Sequence, residues 1–191
     1  EGLGHLLHAA RRNVNIAVFI HNNGVMGLTT GQYSPSSPRG YVSKTSPPDS
    51  GAPMDPVNPV ALAIAGGATF AARGFSGDQK QLTRLMSEAV KHDGFAVVDI
   101  LQPCQTWNRI LTWKFYNEHT YSLQETGHDV TDKLAALENA FSNGKKIPVG
   151  LFYKVKAPVL AENLALPEDG RLRDHQTSMK ELQAIIDELV L

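Results

Sequence analysis

The sequence predicts an α/β fold, a largely parallel sheet with helices on both faces. Three observations carry that expectation. Residues 14–20 and 95–101 are nearly continuous apolar runs, the pattern of parallel strands buried on both faces. Segments of helical period separate the strand-like runs, and regular alternation of the two favours a parallel sheet. The first run empties into a polar, glycine-rich stretch, as strands do at the ligand-binding edge of open α/β sheets.

The 191 residues suit one domain with a full core. With 42% hydrophobic and 19% charged residues the composition is globular. A net charge of -1 argues against nucleic acid held by phosphate neutralisation. No apolar run reaches membrane-spanning length and no signal peptide opens the chain. One cysteine excludes an internal disulfide and fits a cytoplasmic setting. The chain opens directly into a helical pattern without an initiator Met, which suggests that an upstream part is missing.

Leu3, Leu6, Leu7 and Ala10 mark a first amphipathic helix, with Arg11 and Arg12 suiting its last turn. His5 and His8 read as packed, hydrogen-bonded histidines rather than metal ligands, because no third ligand is near. Residues 33–59 form a long loop rich in Pro, Ser and Gly, which Tyr33, Tyr41 and Val42 can anchor. Residues 60–65 read as a helix stopped by Gly66 and Gly67, and residues 68–72 as a short strand. Ser76 and Gln79 suggest a capping box for a helix carrying Leu82, Leu85, Met86, Ala89 and Val90. After the strand at 95–101 come a helix marked by Leu134, Leu137 and Phe141 and a strand over 148–153. Met179, Leu182, Ile185, Ile186 and Leu189 mark a C-terminal helix.

The stretch after the first strand runs from His21 to Gln32 and contains Asn22, Asn23, three glycines and two threonines. Amide oxygens and free carbonyls suit a small hard cation such as Mg²⁺. Gly27 and Gly31 let backbone N–H groups approach a phosphate, and Thr29 and Thr30 add donors. An ordinary polar turn fits the same residue types. The strand at 95–101 ends in Gln102-Pro103-Cys104-Gln105-Thr106, so Cys104 and the Asn23 loop can share the carboxyl edge of the sheet. A thiol there is a candidate nucleophile or metal ligand, against the usual buried small hydrophobe. Trp107, Trp113, Phe115, Tyr116 and Tyr121 read as packing residues.

Several stretches together resemble the β subunit of 2-oxoacid:ferredoxin oxidoreductases, most of all the 2-oxoglutarate type. They are GHLLHAARRNVNI, NNGVMGLTTGQYSPSSPRG, GATFAARGFSGD, GFAVVDILQPC with TWN after it, and IPVGLFY. The likeness runs from Gly4 to about Tyr153. It implies a thiamine diphosphate-binding fold, one domain over residues 1–191 with 154–191 as a helical extension.

By the same resemblance, the Asn23 side chain and the Val25 carbonyl ligate Mg²⁺. Met26, Gly27, Leu28, Thr29, Thr30, Gly31 and Gln32 line thiamine diphosphate. A Gly-Asp-Gly motif belonging to the same site is expected upstream of Glu1. Met26 stands where the family often has Tyr, and Thr30 where some members have Lys. Cys104 matches the family's Pro-Cys motif and is the fourth ligand of a [4Fe–4S] cluster, whose other cysteines are not in this chain.

The implied reaction is oxidative decarboxylation of a 2-oxoacid, 2-oxoglutarate or pyruvate, to acyl-CoA, with electrons passed to ferredoxin. The implied partners are an α subunit, ferredoxin, coenzyme A and the 2-oxoacid, with no membrane and no nucleic acid. No residue stands out as general acid or base. A non-redox thiamine-dependent decarboxylase and a non-catalytic module of the same fold are the competing readings.

Overall fold

The computed structural model of the protein describes residues 2–46, 49–142, 146–164 and 178–189. The leucine and alanine repeat forms α1 (Leu3–Arg11), and the chain reverses at Asn13 with φ 47°. Strand β1 (Ile16–Asn22) follows. The two-residue strands β2 (Val25–Met26) and β3 (Gln32–Tyr33) pair antiparallel, a hairpin that periodicity over so short a stretch could not announce. Beyond the proline-rich loop come α2 (Pro59–Gly66), β4 (Phe70–Phe75), α3 (Gln79–Val90) and β5 (Phe95–Leu101). Helix α4 (Trp113–His119), β6 (Thr120–Ser122), a 3-10 turn at Leu123–Thr126, α5 (Lys133–Ala140) and β7 (Ile147–Lys154) complete the sheet.

A compact unit spans Glu1–Leu160 and a second spans Ala161–Leu191. The short helix α6 (Leu160–Asn163) begins at the boundary, and α7 (Met179–Leu189) lies in the second unit. The apolar side chains Leu182, Ile185 and Ile186 of α7 are exposed.

The five-stranded sheet has the order β1-β5-β4-β7-β6. β1, β5 and β4 are mutually parallel, as the alternating pattern predicts, and β6 and β7 are parallel to each other. Strand β7 runs antiparallel to β4, so the sheet is largely rather than wholly parallel, as expected. The reason lies in residues 102–119. They turn the chain at the carboxyl edge of β5 without recrossing the sheet, so the next strand runs back.

Successive side chains of a strand point to opposite faces, and the two cores follow that period. Ala71, Phe95, Val97 and Phe152 meet α1, α2 and α5 through Ala10, Val60, Ile64 and Ala136. Phe70, Ala72, Ala96, Val98 and Ile100 meet α3 through Leu85 and Ala89. Helices therefore cover both faces.

Four expectations differ from what folds. β1 is a half-buried edge strand rather than a fully buried one, and Ile16 is 52% exposed. The cap of α3 is Asp78, whose carboxylate accepts from Gln81 N at 3.0 Å, because the helix starts later than the Ser76–Gln79 box requires. His5 and His8 are exposed on the outer side of α1 rather than packed. β4 continues past Ala72 through Arg73, which is buried because Asp99 on β5 pairs with it.

Candidate functional site

The parallel strands β1, β5 and β4 end together, and the residues beyond them build the site. Gln102 N donates to Asn22 O at 2.9 Å and so keeps β1 and β5 in register to their last residues. The next two carbonyls are also held. Asn108 Nδ2 donates to Asn23 O at 3.1 Å, and Ser37 Oγ donates to Gly24 O at 2.6 Å. Asn108 is itself fixed, because its Oδ1 accepts from Ile110 N and Leu111 N. Gly24 has φ 65°, and a β-carbon there would stand 3.1 Å from both Asn108 Nδ2 and Leu111 Cδ1.

The two asparagines play different parts. Asn22 uses both ends of its amide: Nδ2 donates to Asp99 Oδ1 at 3.0 Å, and Oδ1 accepts from Ser36 Oγ at 2.7 Å. A carboxylate only accepts, so this orientation of the amide is chemically required. Asn23 Oδ1 instead accepts from Val25 N at 3.1 Å, a local turn two residues on. Asn23 is half-buried and Val25 is 5% exposed.

The hairpin stands out from this base. Thr30 N donates to Gly27 O and Gly31 N to Met26 O, each at 3.1 Å. Thr30 takes a left-handed backbone, φ 69°, and Gly31 follows at φ 88°. Met26, Leu28, Thr29, Thr30 and Gln32 are exposed, Gly27 is half-buried and Gly31 is buried. Thr29 Oγ1 donates to Gln32 Oε1 at 2.9 Å, so the hydroxyl-bearing rim is ordered from within.

Trp107 packs beneath the turn, and Tyr41 Oη donates to its carbonyl at 3.3 Å. Lys44 Nζ lies 5.7 Å from the centre of its ring. The proline-rich loop is thus anchored through Tyr41, as expected, whereas Val42 is 50% exposed; Pro47 and Pro48 lie outside the described residues.

Cys104 is half-buried and packs with Trp107 and Tyr33 against the cluster Val25–Tyr41–Ala52. The Asn23 loop and Cys104 therefore do share one edge of the sheet. Burial pushes the Tyr41 phenol up, and charge on Cys104 adds to that. On the other side of Asn22 a cavity of about 570 Å³ is lined by Asn22, Ser36, Asn58, Arg73, Asp99 and Tyr116, among others. Burial, then Asp99, raises the Tyr116 phenol, and Arg73 opposes them.

The turn suits a diphosphate and a hard cation. The Asn23 side-chain oxygen stands beside the buried Val25, and oxygen donors match Mg²⁺, whereas Gly27 and Gly31 turn the side that lacks a β-carbon to the Trp107 indole. An iron–sulfur cluster is a different matter. It needs four thiolates, and this sequence contributes one. Among the described residues no three His, Cys, Asp or Glu side chains gather as a metal site. Among them also, no helix is long and apolar enough to cross a membrane.

The sequence singles out Asn23, the turn and Cys104. It does not single out Asn108 and Ser37, which bond the Asn23 and Gly24 carbonyls, nor Ser36, Asp99 and Arg73, which form the polar chain through Asn22. An arginine and an aspartate inside otherwise apolar strands were the available signal.

Two family models match the chain in succession. Residues 1–100 match the family model "Thiamine pyrophosphate enzyme, C-terminal TPP binding domain". Residues 104–168 match the C-terminal model of the "Pyruvate ferredoxin oxidoreductase beta subunit" family. A 2-oxoacid:ferredoxin oxidoreductase subunit beta from Sulfolobus sp is 42% identical over 163 residues, 80% of this chain and 53% of that protein. The 2-oxoglutarate oxidoreductase subunit KorB of Mycobacterium tuberculosis is 45% identical over 107 residues, 56% of this chain and 28% of that one.

Among solved structures, 2-oxoglutarate:ferredoxin oxidoreductase from Magnetococcus marinus, with 2-oxoglutarate, coenzyme A and succinyl-CoA bound, superposes with a TM-score of 0.85. It is 40% identical and covers 100% of this chain and 63% of its own. The chain spans about half the length of the Sulfolobus relative. By these matches, and by the turn that its first strand feeds, the chain belongs to the thiamine pyrophosphate enzymes, and its relatives are 2-oxoacid:ferredoxin oxidoreductase β subunits.

Proposed function

We propose that this chain is the cofactor-holding part of a β subunit that takes part in oxidative decarboxylation of a 2-oxoacid, with 2-oxoglutarate preferred. Acyl-CoA is the product and ferredoxin the electron acceptor, the enzyme is completed by an α subunit, and the setting is cytoplasmic. The observation that carries this reading is the shared edge: the amide and glycine turn and Cys104 pack on one cluster around Val25 and Trp107.

Thiamine diphosphate supplies the carbanion chemistry that removes CO₂ from a 2-oxoacid. The chain's own residues hold and orient. Asn23 Oδ1 and the Val25 carbonyl are the proposed Mg²⁺ ligands. Residues 26–32 are the proposed diphosphate and thiazolium wall, with Thr29 and Thr30 giving hydroxyls and Gly27 and Gly31 letting the turn seat on Trp107. Trp107 and Tyr41 shut water out from below the turn. Cys104 is proposed as this chain's single contribution to a [4Fe–4S] cluster, the remaining thiolates coming from elsewhere. The relatives' names support 2-oxoglutarate as the substrate, since several carry it.

Titration of the full-length protein with thiamine diphosphate and Mg²⁺ tests the reading. Asn23→Ala is expected to weaken binding at least tenfold, as loss of an oxygen from an octahedral site should, roughly. Equal affinity in the variant and the wild type would remove Asn23 as a ligand.

A further inference from the structure

A continuous polar chain crosses the sheet behind the turn. Arg73 Nη2 donates to Asn58 Oδ1 at 3.1 Å, and Arg73 Nε donates to Asp99 Oδ2 at 2.9 Å. Asp99 Oδ1 accepts from Asn22 Nδ2, and Asn22 Oδ1 accepts from Ser36 Oγ. The chain is tied down at its far end. Asn58 caps α2 by accepting from Ala61 N, and its Nδ2 donates to Ala140 O at the end of α5. It is also deep, because the Arg73 and Asp99 side chains are 8% and 1% exposed.

A buried ion pair is weak grounds for expecting stability, since desolvation offsets attraction. Its better attested use is to specify one arrangement among several. Here the arrangement concerns two adjacent asparagines at the end of an edge strand. A one-residue slip in a strand exchanges its two faces. With Asn22 and Asn23 adjacent, such a slip would exchange one amide for the other. Asp99 can accept Asn22 only in the observed register, and the pairing leaves the Asn23 amide on the side of the turn.

We propose that Arg73 and Asp99 are positioning residues for the cofactor turn: by holding the Asn22 amide they aim the Asn23 side chain and the Val25 carbonyl. The inference rests on the reading of Asn23 and Val25 as ligands of the diphosphate-bound cation. It assigns Asn22 the part of register pin, so Asn22 is not an idle neighbour of Asn23.

The test uses the full-length protein in the complex it forms, with thiamine diphosphate and Mg²⁺ as probes and calorimetry as the readout. Asp99→Asn retains the side-chain shape and removes the charge that both donors share. Its dissociation constant for the cofactor is expected to rise about tenfold, the scale of a lost charge-assisted hydrogen bond. In an Asn23→Ala background the same substitution should add less than about twofold, because groups acting through one another are not additive. A purely structural role predicts that the two losses multiply, and that result would overturn the proposal, as would unchanged affinity in Asp99→Asn.

If Asp99→Asn does not fold, Ser36→Ala decides. It touches only the half-buried end of the chain, and an expected rise of roughly threefold again disappears in the Asn23→Ala background. Ser36→Ala with wild-type affinity refutes the inference. Absence of thiamine diphosphate binding by the wild type instead refutes the functional reading beneath it.

Discussion

The indole of Trp107 lies so close to Gly31 that a β-carbon there would stand 2.7 Å from its Cε3 atom. The glycine is therefore required twice, by contact and by its φ of 88°. Gly31→Ala is expected to destabilise the protein by about 2–4 kcal/mol, left-handed backbone strain plus overpacking. Gly40→Ala is the control. Gly40 has a similar φ of 76° but nothing within 4 Å, so the expected loss is only about 1–2 kcal/mol. Urea unfolding measures both. Trp107→Ala should relieve part of the Gly31→Ala loss, since the two share one contact.

Arg73 and Asp99 give a second expectation. Arg73→Met leaves a buried carboxylate without its cation, which costs about 3–5 kcal/mol. The double variant Arg73→Met with Asp99→Leu should recover part of that loss, because no charge is then stranded. Recovery of stability without recovery of cofactor affinity would separate the packing role of the pair from its positioning role.

The turn was legible in the sequence and its supports were not. Asparagines, glycines and threonines after an apolar run have a local signature, because turn chemistry is set by neighbours in the chain. The partners of Asn22 lie 14 and 77 residues away, and those of Arg73 15 and 26 away. No local period encodes such pairings. The sheet was legible for the same reason in reverse. Phe70, Val97 and Val98 announce burial by type, whereas the direction of β7 depends on where residues 102–119 turn.

Asn13 supports the opposite edge of the sheet. Its Oδ1 accepts from Phe95 N at 2.8 Å and from Thr69 Oγ1 at 2.9 Å, and its Nδ2 donates to the carbonyls of Pro158 and Ala157. Asn13→Ala strands several buried groups and keeps an unfavourable φ of 47°. A loss of about 3 kcal/mol is expected, with cofactor affinity unchanged, because this end is remote from the turn. Denaturant unfolding and cofactor titration together check it.

The same cluster makes stability depend on pH. Thr69 donates to Asn13, so it must accept from His92 Nε2–H at 2.8 Å. Burial first, then Lys154, lowers the His92 pKa, and Asp93 acts in the opposite sense. The folded state therefore binds this proton less readily than the unfolded chain. The contribution is fully present above the unfolded value of about 6.5 and is lost as pH falls through the lower folded value. Melting temperature should drop across that window, and His92→Gln should flatten the drop.

Cys104 separates the redox reading from a non-redox thiamine decarboxylase. In the full-length protein, Cys104→Ser is expected to lose most cluster iron and its visible absorbance, and to depress ferredoxin reduction. Iron content and spectrum equal to wild type would shift the reading to the decarboxylase.

The strand that feeds the turn is the edge strand of its sheet. Among the described residues β1 pairs with β5 alone, so its other side has no strand partner. Between Ile16 and Ile20 it carries neither lysine nor proline, the usual guards of such an edge. A segment of this kind is a template for strand addition by a second molecule. Preparations of these residues alone should therefore aggregate as their concentration rises, and Ile16→Lys, at the exposed start of the strand, should suppress the light scattering.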